Sequence, residues 1–128
     1  MKLFLSSKFE KANFENLEKI KDIFEKNGHK IVIGMKEVDN YGTDPLSPKE
    51  MMVRTKSLLE DCDGLLIYLY KKGTGIGIEA GLANQMGKPI FVITLGETSE
   101  SLMGISDKWL EIRDILEIEK INFKYFKK

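Results

Sequence analysis

The sequence predicts an α/β protein built on a doubly wound, mainly parallel sheet of five strands. Two observations carry this. Short apolar runs alternate with stretches of helical periodicity, which is the pattern of βαβ units. The two central runs, "GLLIYLY" and "PIFVITL", are apolar on both faces, as strands are when helices cover a parallel sheet on either side. Crossovers between parallel strands are right-handed, so few topologies remain.

The elements follow in order. "KLFLS" is a first strand ending at Ser6 and Ser7. Phe14, Leu17, Ile20 and Phe24 recur at helical spacing between Asn13 and Asn27, and Asn27 with Gly28 supplies the stop. "HKIVIGM" is a second strand, and the polar stretch from Gly34 to Ser47, with Pro45 and Gly42, is expected to be a long loop. Ser47, Pro48 and Glu50 form a helix-start signature: a capping serine, a proline at the first position and a glutamate at capping-box spacing. That helix runs to about Asp61, and "GLLIYLY" is the third strand. A glycine-rich turn, a helix over Ile76 to Met86, a stop at Gly87 and the strand "PIFVITL" come next. Beyond Gly96 the pattern predicts a short helix near Ser99 to Met103, a fifth strand and a last helix.

Composition limits the function. A chain of 128 residues with 42% hydrophobic and 31% charged side chains fits one globular domain, residues 1–128. Lys plus Arg and Asp plus Glu each total 20, so no net charge draws the molecule to a nucleic-acid polymer or an anionic membrane. No apolar run approaches the roughly 20 residues of a membrane helix. A single cysteine, Cys62, forms no internal disulfide and suits a cytoplasmic location. His29 stands apart from any second histidine or cysteine, so no metal is expected.

Doubly wound sheets bind ligands beyond the carboxyl ends of their strands, where strand order reverses. This brings together Ser6 to Phe9, Gly34 to Ser47 and Lys71 to Gly77. In "KKGTGIGIEAGLANQMGKPIFVI", Gly73, Gly75 and Gly77 are expected to let a ligand approach the main chain, with positive φ open to them. Glu79 is expected in about the first turn of the following helix, ionised by the macrodipole. Gly81 and Ala83 are assigned to helix packing. Gly75, Gly77 and Ala80 formally satisfy G-x-G-x-x-G/A, but in the third unit, with no acid at the end of the next strand; a dinucleotide site is a poor fit.

The run "DCDGLLIYLYKKGTGIGIEAGLANQMGKPIFVI" resembles the nucleoside 2-deoxyribosyltransferase-like family, which includes 2'-deoxynucleoside 5'-monophosphate N-glycosidases. The resemblance rests chiefly on the segment Gly75 to Ala83 and extends to "LFLSSKF", about two-thirds of the chain. It implies a flavodoxin-like three-layer α/β/α fold, Glu79 as nucleophile at C1' of the sugar, and no cofactor. It also implies that Ser6, Ser7 and Lys8, with the amides opening the first helix, hold the sugar or a 5'-phosphate. The family's polar turn residue falls at Gly73 or Thr74, and Asp63 aligns with an aspartate before the third strand. Tyr70 ends that strand as a candidate to stack on a base. The family's second carboxylate falls on Thr55, which carries no proton near neutral pH. The expected ligand is a nucleoside or nucleotide, and the expected assembly a homodimer or higher homo-oligomer. A nucleotide-binding module with impaired catalysis is the alternative.

Overall fold

The computed structural model describes residues 1–126. Its sheet holds five strands in the order β2-β1-β3-β4-β5: β1 Lys2–Ser7, β2 Lys30–Ile33, β3 Gly64–Leu69, β4 Ile90–Thr94 and β5 Lys108–Glu111. All four pairings are parallel. The chain leaves β1 outward to β2 and returns past β1 to β3, so strand order reverses between β1 and β3, the point predicted to bind ligand.

Alternation of side chains sends each strand into two cores. On one face Leu3, Leu5, Leu66 and Phe91 pack on Leu17, Ile20 and Phe24 of α1 (Phe14–Lys26). On the other, Phe4, Leu65, Ile67 and Val92 pack on Leu59 of α3 (Pro48–Glu60), on Ile76, Ala80 and Ala83 of α4 (Thr74–Gln85) and on Leu102 of α5 (Glu100–Ile105). Every position of β3 and β4 is buried, as their apolar runs require. Each fully buried Leu, Ile or Phe contributes about 1.5–3 kcal/mol, so these layers dominate stability.

The start of α3 is as the sequence implies. Ser47 Oγ accepts from the Glu50 amide at 3.1 Å and Glu50 Oε1 accepts from the Ser47 amide at 3.1 Å, with Pro48 at the first helical position.

Two expectations fail. The stretch after β2 is not all loop: Gly34–Asp39 forms a short helix, α2, that buries Val38. It starts directly against the sheet because Gly34 has no side chain; a Cβ there would lie 2.3 Å from Phe4 Cζ. The last helix is also absent among the described residues. In its place Ile115–Lys120 and Phe123–Tyr125 form 3-10 turns. Ile115, Ile118 and Ile121 recur every third residue, the period of a 3-10 helix, and with Phe126 they pack where a final α-helix would cover α1's face of the sheet.

Candidate active site

A cavity of about 500 Å³ opens at the carboxyl ends of β1 and β3. The three predicted segments converge on it: Ser6 to Phe9 after β1, Gly34 to Asp39 after β2, and Gly73 to Ile76 at the start of α4. Helix α3 closes the wall with Met51, Met52 and Thr55.

Glu79 faces this space, partly buried, and Ser6 Oγ donates to its Oε1 at 2.5 Å. Burial pushes the carboxyl up to about 7, opposed by the Ser6 hydrogen bond, which favours the charged form. This corrects the expectation of a plainly ionised acid. Glu79 lies in the second turn of α4, since the helix begins at Thr74, and the dipole's favour fades within the first turn. Desolvation therefore wins. Near neutral pH the group is poised between acid and carboxylate, the range in which a nucleophile or proton carrier works.

The serines divide their work. Ser6 is buried and holds Glu79. Ser7 lines the cavity, but its hydroxyl donates to Tyr68 O at 2.7 Å and accepts from Asn13 Nδ2 at 3.1 Å, so it serves as much to fix β1 against β3 as to meet a ligand. Lys8 lies on the rim, 3.7 Å from Glu10, a carboxylate shared with Lys71 at 3.4 Å. Gly73, Thr74 and Gly75 line the cavity, so the start of α4 reaches it, and no side chain caps that helix start.

The glycines act otherwise than expected. Positive φ among glycines occurs at Gly28, Gly42, Gly87 and Gly96, whereas Gly73 is extended with φ −159°. A Cβ on Gly75, Gly77 or Gly81 would meet nothing within 4 Å, so Gly81 makes no close helix contact. Gly75 leaves open space at the cavity; Gly77 lies instead in a separate groove between α4 and α5.

Asp63 and Tyr70, like Gly77, lie outside the cavity. Asp63 precedes β3 at the amino end of the sheet, where its Oδ2 accepts from the Lys2 amide at 2.8 Å, so it belongs to the strand start and not to the site. Tyr70 stacks on Tyr68, ring centroids 5.7 Å apart, against α1's core, and burial with the nearby Glu10 pushes its hydroxyl up to about 12. Neither residue lines the cavity.

The segment after β2 was expected at the pocket as a loop, but none of its residues was singled out. Asp39 lines the cavity, held by a turn in which Asn40, Tyr41 and Gly42 take φ values of 50°, 58° and 81°. Two successive non-glycine residues in the left-handed region cost about 1–3 kcal/mol each and persist only when their surroundings fix them. Here Tyr41 stacks on Phe14 at 4.2 Å and donates to Glu18 at 2.5 Å, and the Asp39 carboxylate accepts from the Gly42 amide at 2.9 Å. Gly42 also leaves room for Phe9, whose ring edge would sit 2.9 Å from a Cβ. The signal was the string "DNYG", rich in residues that tolerate this conformation.

Thr55 occupies the wall without a proton to give: its Oγ1 donates to Met51 O at 2.9 Å, inside α3. Among the described residues no cluster of three or more His, Cys, Asp or Glu has metal-holding geometry, and no helix is long and apolar enough to cross a membrane.

No protein-family model matches the sequence, and no curated protein matches it. Solved structures do match in fold. A 2-deoxyribosyltransferase from Bacillus psychrosaccharolyticus aligns over 98% of this chain and 95% of its own, with a TM-score of 0.76 and 15% identity. The CMP N-glycosidase BcmB of Clostridium botulinum aligns over 94% and 96%, at 0.70 and 17%. BlsM aligns over 93% and 85%, at 0.69 and 17%. These neighbours are of the nucleoside 2-deoxyribosyltransferase-like family, the one that the Glu79 segment resembles. The fold of this chain is theirs.

Proposed function

We propose that the protein cleaves or transfers the N-glycosidic bond of a deoxynucleoside or its 5'-monophosphate. The observation that carries this reading is the carboxylate of Glu79, gripped by Ser6 on the wall of a cavity at the strand-order switch. Fold neighbours that are a 2-deoxyribosyltransferase and a CMP N-glycosidase support it.

The chemistry is a double displacement. The ionised Glu79 attacks C1' of the sugar, the C1'–N bond breaks and its electron pair leaves with the base. The resulting glycosyl ester is opened at C1' by water or by a ring nitrogen of a second base, and Glu79 is released as carboxylate. Ser6 orients the nucleophile and lowers its proton affinity. The uncapped amides of α4, with Lys8 and Thr74 beside them, suit a 5'-phosphate, which would compete with Glu10 for the lysines. A second copy of the chain completing the open side of the cavity belongs to the same reading, and sedimentation of the purified protein tests it.

Incubation with deoxynucleosides and their 5'-monophosphates, followed by chromatography for free base, tests the function. Base release that disappears in Glu79→Gln supports it; release that survives the substitution contradicts the assignment of the nucleophile. The second reading, a nucleotide-binding module, is favoured by Thr55, which supplies no proton to a leaving base. Saturable nucleotide binding with no release by the wild type would establish that reading instead.

A further inference from the structure

We propose that Asp39 is a specificity-determining residue that selects bases bearing an exocyclic amino group over their oxo counterparts. The inference rests on the functional reading above and names the substrate class for that same cavity. It comes from the hydrogen-bonding inventory of the wall that α2 and α3 build.

That wall is apolar where Met35, Val38, Met51 and Met52 line it, which suits the faces of a planar base. Its two polar side chains are Asp39 and Thr55. Thr55 has its one proton committed to Met51 O, so toward the cavity it only accepts. Asp39 as a carboxylate also only accepts: Oδ1 takes the Gly42 amide, and Oδ2 makes no hydrogen bond or ion pair with any described residue. Arg54, next to Thr55 in α3, directs its guanidinium to Val38 O at 2.8 Å and forms no ion pair with Asp39 within 4.0 Å. The wall thus offers acceptors without donors.

A base edge placed there must donate. The exocyclic amine of cytosine or adenine does so; the carbonyl oxygen at the same ring position in uracil or hypoxanthine turns a lone pair toward a carboxylate and is repelled. A hydrogen bond to a charged partner is stronger than one between neutral groups, and an acceptor left unpaired adds to the discrimination. The strained turn at Asn40 and Tyr41 indicates that this placement of Asp39 is maintained against a conformational cost.

The test uses two substrate pairs that differ at one substituent, dCMP with dUMP and dAMP with dIMP. Turnover is read on the wild type, and binding by calorimetry on Glu79→Gln, so that selectivity is visible even without release. The expected result is that the amino member of each pair is favoured about tenfold or more in kcat/KM and in Kd. Asp39→Asn is isosteric and keeps an oxygen for the Gly42 amide; it should bring both ratios to within about threefold of unity, chiefly through KM. Thr55→Val removes the other acceptor and should lower the ratios by a smaller factor, a second reading should the Asp39 variant fail to fold. Equal handling of both members by the wild type, or ratios unchanged in Asp39→Asn, would overturn the inference while leaving the glycosidase reading intact. Neither binding nor cleavage of the four nucleotides, of the other deoxynucleoside monophosphates or of the parent deoxynucleosides would overturn the functional reading and the inference together.

Discussion

The two ends of the sheet carry cavities of similar size and opposite character. At the amino end an open hollow of about 580 Å³ is lined by Met1, Lys2, His29, Lys30 and Asp63. Its groups are committed to one another. The N-terminal amine meets His29 Nδ1 at 3.1 Å, His29 Nε2 lies 3.3 Å from Phe123 O, Asp63 accepts the Lys2 amide, and the Lys2 ammonium pairs with Asp61. Burial and the neighbouring amine hold His29 below its usual range, so near neutral pH it adds no charge. At the carboxyl end, about 500 Å³, Glu79 has among the described residues Ser6 as its single hydrogen-bond partner, Asp39 keeps one oxygen unmatched by them, and α4 starts without a side-chain cap. Volume alone does not mark a site. Groups left incompletely satisfied at the cost of stability do.

The comparison is broken most severely at Glu79. Glu79→Gln should lower base release by about a thousandfold or more, because a carboxamide is no nucleophile toward C1'. Asp63→Ala, at the other end, should leave kcat within about twofold while costing about 1–2 kcal/mol in urea unfolding, from the acceptor lost to the Lys2 amide. If the two variants exchanged phenotypes, the assignment of the ends would be wrong.

A second measurement reads the strain directly. Glu79 in the folded protein is raised from 4.5 to about 7, so the folded state holds its proton more tightly than the unfolded one. Stability from this group is full below about pH 4.5 and falls as pH rises through 7, by an amount on the order of 3 kcal/mol. Glu79→Gln should therefore match the wild type near pH 4 and exceed it at pH 8 in denaturant unfolding. Equal stability at both pH values would mean that the carboxyl is not desolvated.

Ser6→Ala sharpens the same point at smaller scale. Removing the donor that favours the carboxylate raises the proton affinity of Glu79 further, so the acidic limb of the pH–rate profile should move upward, with kcat down about tenfold at pH 7. A limb that stays in place would remove Ser6 from this role. Smallest is Ser47→Ala, which deletes the cap of α3, the helix bearing Met51, Met52 and Thr55; it should cost about 1 kcal/mol and lower the melting temperature without altering kcat.

The order of elements and the place of the site were legible because apolar periodicity encodes which faces are buried, and a parallel αβ order constrains topology. Glu79 was legible through its segment, its ionisation was not: burial depends on how β1, α3 and α4 close around it, which no local pattern records. The glycines misled for a related reason. The flexible-looking "GTGIG" is mostly regular helix, whereas the demanding positions are Gly34 and Gly42, whose constraints come from Phe4 and Phe9, distant in sequence. Helix α2 escaped notice because six residues show too little periodicity, and the C-terminal turns because "KWLEIRDILEIEKINFKYF" mixes strand-like alternation with helical spacing.

The proposed function turns on a bond between one carboxylate and the sugar. Intact and peptide mass spectrometry of the protein after exposure to a 2'-fluoro-2'-deoxynucleoside 5'-monophosphate, whose fluorine slows loss of the glycosyl group, tests it most directly. The expected result is a glycosyl adduct on the peptide that contains Glu79, absent in Glu79→Gln. Base release by the wild type with an adduct on another residue, or release undiminished in Glu79→Gln, would contradict it.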